Sequence, residues 1–147
     1  MIRFFINTLV HYTIHINSVK MFMITDRDLQ QMWTMSPEEL KVAIDILEDN
    51  KNRLYEEIDY NEMQEINTTK ATYEYIYLSK TIRRHEKGLA EIEKYIIDTE
   101  DSKMSHGEFI TAYEIWNDID VNLWKYTKLL DELKNGPYAD YIEICDK

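Results

Sequence analysis

The sequence predicts a mostly α fold, an antiparallel three-helix bundle with long, coiled-coil-like helices. Only three of the 147 residues are glycine and two are proline, which is too few for a turn-rich β sandwich or barrel. A hydrophobic content of 44% beside 31% charged residues is typical of a globular chain. Apolar residues recur at intervals of three and four through most of residues 25–147, so we expect that range to form one helical domain.

Residues 1–24 form a separate N-terminal segment, for which we expect a short, peripheral, strand-like extension. From Ile2 to Ile16 apolar and polar residues largely alternate, as in a half-buried strand. Polar interruptions and the lack of a small-residue cleavage site argue against a secretory signal peptide. Two other interpretations stay open. The segment is flexible, or it is a leader upstream of the true start, because Met21 and Met23 directly precede the helical body.

Two helix-start signals open the helical domain: Thr25 with Asp28, and Ser36 with Pro37 and Glu39. In the second signal the serine caps the helix, the proline takes the first helical position and the glutamate closes a capping box. We expect the first long helix over residues 37–65, with an apolar seam at steps of four and three. The seam consists of Leu40, Ile44, Leu47, Leu54 and Ile58.

The second long helix is expected over residues 69–98. Its seam is out of phase with that of the first helix, and the sequence NTTK at residues 67–70 separates the two patterns. We therefore expect a turn at residues 67–70 that folds the second helix back on the first. The second seam consists of Tyr75, Leu78, Ile82, His85, Leu89, Ile92 and Ile96.

The third long helix is expected to begin after Ser105, which forms a capping box with Glu108, and to end at the Asn-Gly-Pro of residues 135–137. At 100° per residue its apolar residues cover about 240° of the circumference, which is wider than one core-facing stripe. This helix is therefore either packed on two sides or presents an apolar strip to another molecule. The residues beyond its core-facing stripe are Ile110, Tyr113, Val121 and Trp124. The tail is expected to form a short helix or a strand.

The net charge of −11 lies in the helical domain, because residues 1–25 carry +2 and residues 26–147 carry −13. So acidic a body repels phosphate backbones, and we expect no direct nucleic-acid binding. No run reaches the roughly 18 apolar residues that a membrane span needs. The single cysteine, Cys145, cannot form an internal disulfide, so we expect a cytoplasmic protein.

The sequence lacks the motifs that carry common chemistries. There is no Glu-x-x-His pair, His-Glu-x-x-His, glycine-rich phosphate loop or Gly-x-Ser-x-Gly elbow. We therefore expect no enzymatic activity, no cofactor and no metal site. The bias toward Ile, Asn, Tyr and Met suggests an AT-rich genome, and with the small size it suggests a viral or phage-type accessory protein of the host cytoplasm.

Three groups of side chains are candidate binding surfaces. A protein interface of aromatic residues is expected from Tyr113, Trp116 and Trp124, joined by Tyr73 and Tyr77. An acidic face that imitates nucleic-acid phosphates is expected from Glu56, Glu57, Asp59, Glu62 and Glu65. A candidate anion site consists of the basic cluster Arg83, Arg84, His85 and Lys87.

The basic cluster has a second interpretation. If the second helix folds back at about residue 67, residues 83–87 lie beside Glu48 and Asp49. Internal ion pairs are then favoured over an anion site. His85 lies on the apolar seam, in the manner of a polar residue that sets helix register.

These surfaces rank the hypotheses for function. The first is a non-enzymatic protein-interaction module that acts as a homodimer through the aromatic-apolar helix face, since Tyr and Trp are enriched in binding hot spots. The alternative is an acidic nucleic-acid mimic of the counter-defence type, which inhibits a basic nucleic-acid-binding protein. The second alternative is a binder of phosphorylated small ligands at residues 80–87.

Overall fold

In the computed structural model the described residues, 24–57, 59–100, 105–143 and 145, are mostly α-helical and contain no strand. Within these residues five helices follow one another: α1 (Asp26–Thr34), α2 (Pro37–Leu54), α3 (Tyr60–Glu100), α4 (His106–Lys134) and α5 (Ala139–Glu143). The prediction of a mostly α, helix-packed protein is confirmed. The predicted strand-like segment at residues 1–23 lies outside the described residues.

The helix starts follow the local capping chemistry. Thr25 accepts a hydrogen bond from the Asp28 amide, and the Asp28 carboxylate accepts one from the Thr25 amide. Ser36 and Glu39 form the same reciprocal pair ahead of α2, whose first residue is Pro37. Each pair satisfies amides that would otherwise have no partner at a helix start. The predicted Ser36 capping box and the Thr25 helix-start signal are therefore confirmed. Ahead of α4, Ser105 accepts a hydrogen bond from the Glu108 amide at 3.2 Å, which is one half of the capping box predicted there.

The predicted turn at residues 67–70 is wrong. Residues 67–70 lie inside α3, and the chain instead leaves the helical path after Leu54 and re-enters it at Tyr60. Asp59 caps the new helix, since its carboxylate accepts a hydrogen bond from the Glu62 amide at 2.9 Å. The first long helix consequently ends about ten residues earlier than predicted, and the second begins about ten residues earlier.

Threonine hydroxyls explain why α3 passes through the predicted turn. Thr68, Thr69 and Thr72 each donate to the backbone carbonyl four residues earlier, at 2.8, 2.9 and 3.0 Å. Hydroxyls bonded in this way are accommodated within a helix instead of breaking it. Thr69 and Thr72 are also buried, so packing holds this stretch in the core.

The described helical residues divide into two compact units, of which the first comprises the residues up to Tyr77 and those from Leu133 onward. Its core contains the predicted α2 seam residues Leu40, Ile44 and Leu47 together with Ile66 and Ile76 of α3. The seam position Ile58 lies outside the described residues. The tail forms the helix α5, and Trp33 in α1 donates its indole N–H to the Cys145 carbonyl at 3.2 Å.

The second unit lies within residues 78–132, of which residues 78–100 belong to α3 and residues 106–132 to α4. His85 packs on Tyr126 with ring centroids 5.1 Å apart, and Trp116 donates to the Glu93 carboxylate at 3.0 Å. Partner numbers in α4 fall as those in α3 rise, so the two helices run antiparallel. Few side chains in this pair are fully buried: Leu78, Thr81, Ile96 and Ala112.

Among the described residues no helix is both long and apolar enough to cross a membrane.

Candidate functional site

The structure separates the five aromatic residues of the predicted interface. Tyr73 is only 4% exposed and belongs to the core of the first unit, whereas Tyr113 and Trp124 lie exposed on α4 in the second. Burial, followed by the nearby Asp28 carboxylate, raises the pKa of the Tyr73 phenol and keeps it protonated. Tyr77 is half-buried in the first unit. Because Tyr73 is inaccessible, we leave it out of any binding surface.

The exposed aromatic residues of α4 belong to a longer row. Its apolar members are Ile110 (43% exposed), Tyr113 (47%), Val121 (42%) and Trp124 (64%), and the exposed Asn117 lies at its centre. At 100° per residue all five side chains fall within an arc of about 80°. We call this row the α4 strip.

The α4 strip lies on the far side of α4 from α3. The α4 residues that face α3 are half-buried or buried at helical spacing: Phe109, Ala112, Trp116, Ile119, Leu123, Tyr126 and Leu130. Their mean direction is about 130° round the helix from that of the α4 strip. Within the second unit, packing against α3 therefore leaves the strip in solvent. This matches the second of the two arrangements that the sequence allows for this helix.

Neighbouring side chains hold the exposed aromatic residues in place. The Tyr113 ring packs on Phe109 with centroids 4.6 Å apart and lies 6.5 Å from Trp116. The Lys128 ammonium lies 5.3 Å from the centre of the Trp124 ring, in cation–π contact. Aromatic side chains restricted in this way lose less conformational entropy when a partner covers them.

Trp116 has a different role from its neighbours. It is half-buried, and its indole N–H is bonded to Glu93 across the helix pair. That hydrogen bond links α3 to α4 inside the second unit. We therefore treat Trp116 as a packing residue that supports Tyr113.

The acidic group lies around the connection between α2 and α3. Glu56, Glu57 and Asp59 are exposed there, while Glu62 and Glu65 are half-buried in the first two turns of α3. Two exposed tyrosines, Tyr55 and Tyr60, flank the connection, with 69% and 75% of their surface accessible. The carboxylates therefore gather at one end of the α2–α3 pair and not along one helix face.

The basic cluster lies in the second unit. Arg83, Arg84 and Lys87 are exposed on α3, whereas His85 faces α4. The His85 Nδ1 lies 2.8 Å from the Thr81 carbonyl, and because a carbonyl only accepts, Nδ1 carries the hydrogen. That bond and the Tyr126 contact fix the imidazole as a packing group.

The sequence predicts that Glu48 pairs with residues 83–87. Glu48 instead accepts a hydrogen bond from Lys70 at 2.6 Å. The earlier turn produces this change, because a chain reversal between Leu54 and Tyr60 sets residue 70 beside residue 48. Counting residues outward from the observed turn would have identified Lys70 as the partner of Glu48.

Pairing of Lys70 with Glu48 shifts the pKa of both side chains. The hydrogen bond from Lys70 lowers the pKa of Glu48, although burial opposes it. Burial would lower the pKa of Lys70, but the hydrogen bond from Glu48 and the charges of Glu48 and Glu74 outweigh it and raise that pKa. Glu74 lies 3.6 Å from the same ammonium. Both shifts favour the charged pair.

The described residues offer no cluster of three or more His, Cys, Asp or Glu side chains that could hold a metal ion. Their most distinctive surface is the α4 strip, which is apolar, ordered by neighbouring contacts and accessible. Comparison of the chain with protein-family models, curated proteins and solved structures gave no match.

Proposed function

We propose that the protein is a non-enzymatic protein-interaction module that acts as a dimer through the α4 strip. The observation that carries the proposal is the row of exposed apolar side chains that includes Trp124, on a helix already packed on its other side. Large exposed aromatic residues in a contiguous row mark interaction surfaces in monomeric domains. Tyr and Trp also contribute most strongly when a partner excludes water from them.

The area of the strip supports a modest contact. A fully exposed aromatic side chain presents roughly 150–250 Å², so the four apolar strip residues together expose on the order of 400 Å² per copy. At about 25 cal/mol per Å², covering that surface removes roughly 10 kcal/mol of unfavourable hydration per copy. Lost translational and rotational freedom offsets much of this gain, so we expect a weak, concentration-dependent complex.

The helix arrangement forms part of the proposal. The predicted antiparallel three-helix bundle is retained as two successive antiparallel pairs, α2 with the first part of α3 and the second part of α3 with α4. Within the second unit, the pair formed by α3 and α4 carries the α4 strip. The composition favours a viral or phage-type accessory protein that works in the cytoplasm of its host.

A second candidate is an acidic inhibitor that occupies the basic groove of a nucleic-acid-binding protein. The exposed carboxylates of Glu56, Glu57 and Asp59, beside the exposed Tyr55 and Tyr60, favour it. Charge attraction of this type weakens with salt. A phosphorylated small ligand bound at Arg83, Arg84 and Lys87 is the third candidate; those side chains lie on a convex helix surface, which gives such a ligand little enclosure.

Sedimentation velocity tests the leading proposal. Trp124→Glu is expected to shift the chain toward monomer while its far-UV circular dichroism stays that of the parent. Leu129→Glu is the matched control, because Leu129 is also exposed on α4 but lies outside the strip. Equal dissociation by both variants, or a parent chain that is monomeric at several hundred micromolar, would contradict the proposal.

A further inference from the structure

We infer that the partner of the α4 strip is a second copy of this chain, docked antiparallel, with the two-fold axis at Asn117. This inference rests on the proposed function and specifies how the dimer forms. It concerns only α4, whose residues 106–132 all belong to the second unit.

The spacing of the strip is symmetric about Asn117. Tyr113 and Val121 each lie four residues from it, and Ile110 and Trp124 each lie seven residues from it. Reversing the helix direction therefore maps the strip onto itself. In an antiparallel pair Ile110 of one copy lies opposite Trp124 of the other, and Tyr113 lies opposite Val121. A two-fold interface requires this self-complementarity, because the same patch serves both copies.

The residues paired in this register are also complementary in size. The largest side chain, Trp124, faces the aliphatic Ile110, and the aromatic Tyr113 faces the small β-branched Val121. Large-against-small pairs let side chains interdigitate across a helix–helix contact. A parallel pair would instead place Trp124 against Trp124 and Tyr113 against Tyr113.

Asn117 is the polar residue at the centre of the strip. On the two-fold axis its amide faces the same amide of the second copy, and one can donate to the other. A single polar residue at an otherwise apolar contact fixes helix register, since any shift buries an amide without a partner. This gives the exposed Asn117 a role that an apolar residue could not fill.

The area buried fits a weak dimer. Two copies of the α4 strip remove on the order of 800 Å² from water, which lies below the roughly 1,200 Å² of stable specific interfaces and in the range of weak complexes. We therefore expect dissociation in or above the micromolar range.

Charges at the edge of the strip add a salt dependence. In this register Glu114 of one copy is level with Asp120 of the other, because each lies three residues from Asn117, and both are exposed. The carboxylates repel each other across the contact, and added salt screens that repulsion. Dimerisation should therefore strengthen with ionic strength, whereas binding of an acidic face to a basic partner should weaken.

Cysteine cross-linking tests the register in the full chain. Helix axes 8–10 Å apart with Cα atoms about 2.3 Å from each axis place facing Cα atoms about 3.4–5.4 Å apart, a range that overlaps the Cα separations of disulfides. Asn117→Cys, in a Cys145→Ser background, should form a disulfide-linked dimer under mild oxidation at least about tenfold faster than Asn122→Cys. Asn122 is a matched control, because it is an exposed asparagine on the same helix outside the strip.

A second pair of variants separates antiparallel from parallel docking. Val121→Cys alone should cross-link slowly, because its partner in the second copy is Tyr113. A mixture of Val121→Cys and Tyr113→Cys chains should cross-link quickly to the mixed dimer. Rapid self-linking of Val121→Cys, or equal rates at positions 117 and 122, would overturn the register.

The two proposals fail in different ways. A dimer that Trp124→Glu dissociates but Asn117→Cys does not link would overturn the register and leave the proposed function standing. A parent chain that shows no dimer by sedimentation would overturn both.

Discussion

Two tryptophans of this chain show how one residue type serves two purposes. Trp33 is half-buried, donates to the Cys145 carbonyl at 3.2 Å and meets the edge of the Tyr75 ring at 6.3 Å. It ties the end of the chain to α1 inside the first unit. Trp124 is 64% exposed, and the Lys128 ammonium lies over its ring. The first contributes to folding, and we expect the second to contribute to binding.

Replacing each tryptophan by phenylalanine should separate these roles. Trp33→Phe removes the hydrogen bond and leaves the Cys145 carbonyl without that donor, so we expect a loss of about 1–2 kcal/mol in the free energy of unfolding. Trp124→Phe should change it by less than about 0.5 kcal/mol. Urea denaturation at low micromolar protein measures both. A larger loss for Trp124→Phe would mean that this side chain packs within the folded chain.

At the residue scale, the Lys70–Glu48 pair makes the stability of the first unit depend on pH, and the directions of the two pKa shifts determine the sign of that dependence. The pKa of Glu48 lies below its usual value of 4.5, so its contribution is present above pH 4.5 and is lost as pH falls through the lowered pKa. The pKa of Lys70 lies above its usual value of 10.5. Its contribution is therefore present below pH 10.5 and is lost as pH rises through the raised pKa.

Glu48→Gln should remove this dependence. Because both side chains are partly exposed, we expect the parent to be more stable than the variant by only about 0.5–1 kcal/mol near pH 7. That difference should shrink toward zero as the pH falls below about 4. Urea midpoints from pH 3 to pH 8 measure it, with Asp45→Asn as the control, since the Lys41–Asp45 pair is more exposed. A difference that grows in acid would contradict the assignment.

At the scale of single helices, the sequence predicted best where the signal was local. The helix-start signal at Thr25 and the capping box at Ser36 involve residues three apart, and helices begin at both as predicted. The Asn-Gly-Pro that follows α4 likewise ends that helix at Lys134. Such signals need no knowledge of the rest of the chain.

The position of the α2–α3 turn could not be predicted in the same way. The connection after Leu54 contains no glycine or proline, and its clearest marker is the cap residue Asp59. Asn67 and the threonines that follow it have low helix propensity, yet hydroxyl bonds and burial hold them in α3. Tertiary packing outweighed local propensity. Because the turn was predicted in the wrong place, the predicted partner of Glu48 was wrong as well.

Matched insertions test where the turn lies. A Gly-Gly insertion after Glu57 lengthens a connection, and we expect a cost of less than about 1 kcal/mol in the free energy of unfolding. The same insertion after Asn67 rotates the buried Thr69 and Ala71 by about 200° and should cost at least about 3 kcal/mol. Thermal unfolding followed by circular dichroism compares the two. Equal tolerance of both insertions would place the flexible point at residues 67–70 after all.

At the scale of the whole molecule, one part of the candidate site could be predicted from the sequence: the wide apolar arc on α4. It indicated either a helix packed on two sides or an exposed strip, and pattern alone could not distinguish them. The choice depends on how many neighbours the helix has, and in the second unit that neighbour is α3. Tyr73 illustrates the opposite case. As an aromatic residue it was predicted to belong to an interface, but its position in α3 buries it.

Charge and apolar surface act in opposite directions on the assembled molecule. A net charge of −11 on each chain disfavours association at low salt, and the α4 strip favours it at all salt concentrations. The effect of salt on association therefore shows whether the apolar strip or the surface charge dominates binding. Apolar self-association strengthens as the charges are screened, and recognition of a basic partner by the acidic group weakens.

Sedimentation equilibrium of the unmodified chain, over a protein series from about 1 µM to several hundred micromolar at low and high salt, tests the central claim most directly. The account predicts a monomer–dimer equilibrium whose dissociation constant falls as salt rises from about 50 mM to about 500 mM. A chain that stays monomeric throughout, or a dimer that dissociates as salt is added, would contradict it.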